Sequence, residues 1–148
     1  MVSLINTFPL EEVYQDNYCR VCSIYTCFAM YQYYHQLPQT REFLIPPMKV
    51  VLALAHGWAS RGIPAFYWLE VKEGEFLPSE DITWVREDVF PQLVDAGIHY
   101  VAYVSKNNLF RNFSHESIIN PEQSQSLSLR IFQESRDAMQ WLEELRRT

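Results

Sequence analysis

The sequence predicts an α/β domain: a mixed β-sheet of five to six strands with α-helices packed on it. Residues 78–96 carry the apolar period of a helix and run through Gly97 straight into residues 98–104 (IHYVAYV), a β-branched and aromatic run suited to burial on both faces. Upstream, 46–60 and 65–71 show the same helix-then-strand order, and downstream 127–132 followed by the C-terminal stretch from Ser135 gives strand and then helix. Residues 13–34 hold three strand-like runs with no helical period between them, which predicts an antiparallel start followed by β-α-β-α-β-α.

Residues 13–18 and 19–25 read as strands joined around Asp16-Asn17, a turn-forming pair. The run 27–34 (CFAMYQYY) is apolar or aromatic on both parities, as an interior strand is, and Pro38 ends it. Pro46-Pro47 fixes the next boundary, because proline fits the first helical positions and is costly deeper in a helix. The helix therefore spans 46–60 after a turn at 41–45, with Met48, Val51, Leu52, Ala55 and Trp58 as its inner stripe. Gly62 closes it, Pro64 precedes the strand 65–71 (AFYWLEV), and 72–77 is a polar loop.

In the helix 78–96, Ser79 is the expected N-cap, and Glu80 and Asp81 sit where the dipole favours acids. Ile82, Val85, Val89, Leu93 and Ala96 form one stripe. Pro91 removes a hydrogen bond inside it, so a kink is expected near Glu87 or Asp88. Residues 105–116 hold a short helix through Leu109, Phe110 and Phe113, and 120–126 form a loop. The strand 127–132 alternates as an edge strand does. The last helix has Ser135 as N-cap, Ala138, Trp141, Leu142 and Leu145 as its stripe, and Arg146 and Arg147 at the end that favours cations.

A chain of 148 residues, 48% hydrophobic and 15% aromatic, fits one domain spanning 1–148, and it contains no internal repeats. The net charge of -6 equals the imbalance of residues 70–95 alone, which hold eight acids and two bases. An acidic chain of this kind argues against nucleic acid as a partner. Three cysteines and no cleavable N-terminal signal point to a cytoplasmic setting. The longest helical apolar run, 50–55, is far below the roughly 20 residues that cross a bilayer, so no membrane insertion is expected.

The chemistry-bearing residues form no recognised catalytic or metal-binding pattern. Cys19, Cys22 and Cys27, with His35 as a fourth ligand, would be a zinc set only if held in pairs at tight turns; along strands, Cys19 and Cys22 point to opposite faces. They read as core cysteines, and no metal or other cofactor is expected. His35, His56, His99 and His115 are scattered, and none stands in a nucleophile motif. Glu73, Glu75, Glu80 and Asp81 read as a solvated loop and helix start, and the glycines build no phosphate loop. The expectation is therefore no enzyme, with a small hydrolase using His56 or His99 as a distant rival. Strands rich in tyrosine do suggest a surface or a pocket: Tyr31, Tyr33, Tyr67 and Trp84 are the candidate interface or pocket aromatics, with self-association as a homodimer through those strands.

Asp81 with Trp84, Phe90-Pro91, Gly97, the strand 100–104, Ile118, Arg130-Ile131-Phe132, Ala138 and Trp141-Leu142 form a spaced pattern over 66–145. It resembles the STAS-like family, the fold of anti-sigma-factor antagonists, and in particular its small stand-alone bacterial members. The resemblance implies a mixed sheet with helices on one side, no catalysis, and the binding of a partner protein or small ligand. It also implies a regulatory phosphorylation site at Ser79, although the acidic and small residues that precede such a serine in the family are absent. The related fold resembles lipid-binding CRAL-TRIO domains, which makes a carrier or sensor of an apolar small ligand, held between the sheet and the helices 46–60 and 78–96, the alternative reading.

Overall fold

The structure, a computed structural model, describes residues 10–24, 28–72, 75, 79–105 and 127–147, with the side chains of Ser79 and Ile82 outside that set. Six strands form one mixed sheet in sequence order: β1 (Leu10–Gln15), β2 (Cys19–Ile24), β3 (Ala29–Tyr34), β4 (Ala65–Val71), β5 (Ile98–Val104) and β6 (Ser128–Phe132). The first two pairings are antiparallel and the last three parallel. Asp16 makes the β1–β2 turn: its Oδ1 accepts from the backbone N–H of Tyr18 at 2.7 Å and of Cys19 at 2.9 Å, and the Tyr14 hydroxyl donates to Oδ2 at 2.7 Å. Burial works to raise the Asp16 carboxyl, and these donors together bring it below its usual value. The register skips Val13, a bulge that, with Glu11 and Glu12 exposed beside it, blunts this sheet edge.

Helix α1 (Ile45–Ala59) has Pro46 and Pro47 in its first turn and a 3-10 turn, Arg41–Phe43, ahead of it. Pro47, Val51, Ala55 and Trp58 are its buried residues, with Met48 and Leu52 packed beside them. The expected helix 78–96 is three segments in series: α2 (Ser79–Trp84), a π-helical turn (Val85–Val89) and α3 (Phe90–Asp95). Pro91 supplies the reason. It has no N–H to give the carbonyl of Glu87, and its ring crowds that carbonyl. The chain widens by one residue instead, so that the Phe90 N–H donates to the carbonyl of Val85, while the Gln92 side chain reaches back to the carbonyl of Asp88 at 2.9 Å. The sequence-based kink is thus a π turn.

Two crossovers advancing the same way across the sheet, β3 to β4 and β4 to β5, put α1 and the 79–95 segments on one face, as a single crossover handedness requires. Helix α4 (Ser135–Arg147) packs on the opposite face through Ala138, Met139, Trp141 and Leu142. Helices therefore cover both faces, where the family resemblance implied one. Strand parity splits the core accordingly, with Cys19 and Tyr67 in one half and Cys22 and Trp68 in the other. Ser135 is the first residue of α4 and is buried; its hydroxyl donates to Glu70, docking the helix on β4. At the far end Arg146 lies over the rings of Phe66 and Phe28, 4.2 and 5.2 Å from their centroids, and donates to the carbonyl of Pro64 at 3.0 Å. The short helix expected within 105–116, through Leu109, Phe110 and Phe113, lies beyond Ser105 and outside the described residues.

Gly97, which turns the chain from α3 into β5, has φ +93°, and a Cβ there would lie 3.2 Å from the Cβ of Ala59 at the end of α1. Gly97→Ala should therefore cost about 1–2 kcal/mol or more, from the left-handed backbone alone. A urea midpoint unchanged from the parent would show that the turn has another way to close.

Candidate functional site: an apolar cavity beneath the interrupted helix

Between the sheet and the π turn lies an apolar cavity of about 70 Å³. Its floor is one parity of the parallel strands: Tyr34 of β3, Tyr67, Leu69 and Val71 of β4, Val101 and Tyr103 of β5, and Leu129 and Ile131 of β6. Trp84, Val85, Val89, Phe90 and Leu93 form the roof, and Leu37, Leu44 and Met48, from the β3–α1 connection and the start of α1, close the end. Every one of these groups is apolar or aromatic. The cavity sits toward the carboxyl ends of the parallel strands, where ligands bind in open α/β sheets, and π turns themselves are enriched at functional sites.

Two polar clasps hold the closing segment in place. The Arg41 guanidinium reaches Asp81 on α2 (Nε to Oδ1 3.1 Å) and the carbonyl of Glu80 (Nη2, 3.3 Å), and lies 5.5 Å from the ring centroid of Trp84. The backbone N–H of Leu37 donates to Glu75 Oε1 at 2.6 Å. Asp81 is 4% exposed at its side chain and Arg41 44%, so the carboxylate belongs to the interior and its partner to the surface. The sequence offered Asp81 only as a dipole-favoured acid in a solvated helix start; its burial is a correction, since the 3-10 turn folds over it.

Under the floor runs a buried polar chain. The Tyr67 hydroxyl donates to Gln32 Oε1, and Gln32 Nε2 lies 3.6 Å from Cys19 Sγ. Burial pushes the Cys19 thiol up to about 12 and raises Tyr34, Tyr67 and Tyr103 well above the usual phenol value. Across the sheet, Tyr31 stacks on Trp68 with centroids 4.5 Å apart. Its hydroxyl is raised first by burial and then by the Glu70 carboxylate, which also accepts from Ser135. Trp68 Nε1 and Ser23 Oγ are buried with no hydrogen-bond partner among the described residues.

The four aromatics singled out in the sequence thus divide. Tyr67 and Trp84 line the cavity, whereas Tyr31 and Tyr33 face the other way, Tyr31 buried and Tyr33 half-buried. Strands β3 and β4 are paired on both edges, so they offer no free edge for self-association. Ser79 opens α2, with its side chain outside the described residues. Cys19 and Cys22 are buried on opposite faces, as expected; Cys27, Glu73 and His115 lie outside the described residues. His35, His56 and His99 are exposed and none lines the cavity. Among the described residues no three His, Cys, Asp or Glu side chains gather as a metal site, and no helix is long and apolar enough to cross a membrane. Sequence reasoning missed Leu37, Leu44 and Arg41, which stand in or beside irregular turns where periodicity gives no signal. Comparison with protein-family models, with curated proteins and with solved structures finds no match for this chain.

The buried hydroxyls and thiol set an alkaline limit on stability. Each holds its proton to a higher pH folded than unfolded, so its stabilising contribution is complete below the unfolded values, 9.0 for Cys19 and 10.0 for the tyrosines, and is lost as pH rises toward the folded ones. In a phenolate absorbance titration, Tyr31, Tyr34, Tyr67 and Tyr103, four of the nine tyrosines, should stay silent until a cooperative unfolding step above pH 10. Smooth ionisation of all nine without unfolding would contradict their burial.

Proposed function

We propose that this domain is a non-enzymatic binding module, acting in the cytoplasm, whose ligand is a small apolar molecule taken up between the sheet and the interrupted helix. The observation that carries the reading is the cavity, walled by apolar and aromatic side chains and closed by two surface clasps. Its size defines the ligand. About 70 Å³ is half of the roughly 150 Å³ that accommodates benzene in an engineered cavity, so a slender chain or ring edge fits as the site stands, and anything larger displaces Leu37 or Leu44. A water molecule would find few partners there: the Tyr67 hydroxyl already donates to Gln32, and most of the wall has nothing to offer one.

The STAS-like resemblance supports the wider class, a binding module without chemistry of its own, and adds a partner protein or second copy as the other occupant. Such a partner would use surfaces other than the tyrosine-rich strands; Val13, Phe43 and Ile45 are the exposed large apolar residues among those described. Phe43 and Ile45 flank Leu44, one of the residues closing the cavity.

Small apolar probes, 1-hexanol and benzene, should raise the melting temperature of the wild-type protein in a concentration-dependent way. Val101→Ile, which adds one methylene to the cavity floor, should melt at the same or a higher temperature and lose that response. No probe response in the wild type, together with a Val101→Ile variant destabilised by more than about 1 kcal/mol, would mean that the space is already filled by packing.

A further inference from the structure

Beside the cavity, at its Trp84 wall, the Arg41 guanidinium sits among groups that attract a positive charge. The guanidinium is held by three features of α2 that together recognise a positive charge: the Asp81 carboxylate at 3.1 Å, the Glu80 carbonyl at 3.3 Å and the face of Trp84, 5.5 Å from its centroid. The same Trp84 ring lines the cavity, so charge and apolar space adjoin through one side chain. The two partners are unequal. Asp81 is buried and fixed on a helix, whereas Arg41 belongs to a three-residue 3-10 turn and keeps 44% of its side chain in water. An ion pair with one solvated partner is weakly held. Moving Arg41 into solvent costs little so long as another cation takes its place, whereas leaving Asp81 buried without one costs much more.

From this geometry we propose that the ligand is a cationic amphiphile, an alkyl or aryl ammonium compound, whose charge replaces the Arg41 guanidinium on Asp81 and Trp84 while its apolar part enters the cavity. The inference rests on the apolar-ligand reading above and adds the head group. A carboxylate is disfavoured at the same place, because the Asp81 carboxylate is buried there and already neutralises Arg41. In the resting protein Arg41 acts as an internal competitor, which makes the site selective: a ligand must bring both a charge to displace it and an apolar tail to use the space released.

The test compares n-hexylammonium, 1-hexanol and hexanoate by indole N–H chemical-shift titration and thermal shift, on the wild-type chain and on Arg41→Ala. Removing the competitor should tighten hexylammonium relative to hexanol measured on the same variant, by up to about tenfold, the scale of one cation–π contact joined to one charge-assisted hydrogen bond. Asp81→Asn should abolish the gain, and Trp84→Leu, which keeps an apolar wall, should reduce it even if the Asp81 variant fails to fold. Hexylammonium binding no better than hexanol in Arg41→Ala would overturn the cation site and leave the apolar cavity standing. Hexanoate binding tighter than hexylammonium to the wild type would overturn it as well, by making Arg41 an anchor for anions. Failure of all three probes on both proteins would remove the cavity reading, and this inference with it.

Discussion

The need to cover three parallel strand pairings on both faces is the constraint on which the rest of the structure depends. Parallel strands leave no solvent-facing side in a chain of this size, so β3, β4 and β5 carry apolar or aromatic residues at nearly every position, and each parity must find a helix. Crossovers of one handedness deliver α1 and the 79–95 segments to the same face. The other face is left to α4, anchored at its two ends by Ser135 on Glu70 and by Arg146 on Phe66 and Phe28. The aromatic abundance that looks like an interface in the sequence is mostly this covering requirement. Tyr31, Phe66, Tyr67 and Trp68 are buried because their strands are central.

One imperfection in that covering produces the candidate site. A regular helix at 79–95 would present a stripe three or four residues apart and close on the sheet like α1. Pro91 forbids the regular ladder one turn before it, and the π turn that results brings Trp84, Val85, Val89 and Phe90 together over a floor of branched and aromatic side chains. Close packing is the rule for interiors, and a void of this kind forfeits dispersion contacts on all its walls. It lies toward the carboxyl end of the parallel strands, beneath a segment fastened by polar clasps at the surface.

Where the sequence carried a period, the fold was legible in it. Strand β5 falls on 98–104 as read, α1 within one residue of its expected bounds, and the turn at Asp16-Asn17 where the side-chain chemistry placed it. The misses have physical causes. Ser135 stands at the start of α4 as read, but its hydroxyl's donation to Glu70 depends on the depth of a neighbouring strand, which the local sequence does not carry. Pro91 announces an interruption, yet whether the chain kinks or widens depends on what the sheet below requires. The site was legible only in half: Tyr67 and Trp84 could be named from their chemistry, while the closing residues Leu37, Leu44 and Arg41 become meaningful only once β3, α1 and α2 are brought to the same end of the sheet.

Small-ligand and partner-protein readings of this fold meet in one segment. Leu44, which helps close the cavity, lies between Phe43 and Ile45, two of the large apolar residues the described surface exposes. The 3-10 turn that holds Phe43 also holds Arg41, the residue clasped to Asp81. On the reading proposed above, a ligand that displaced this segment would alter the exposed surface through the turn residues 41–43 and the first turn of α1, with no change in the sheet. The two readings are separable by ligand but not by structure, because the segment that closes the cavity is also the segment a partner would meet.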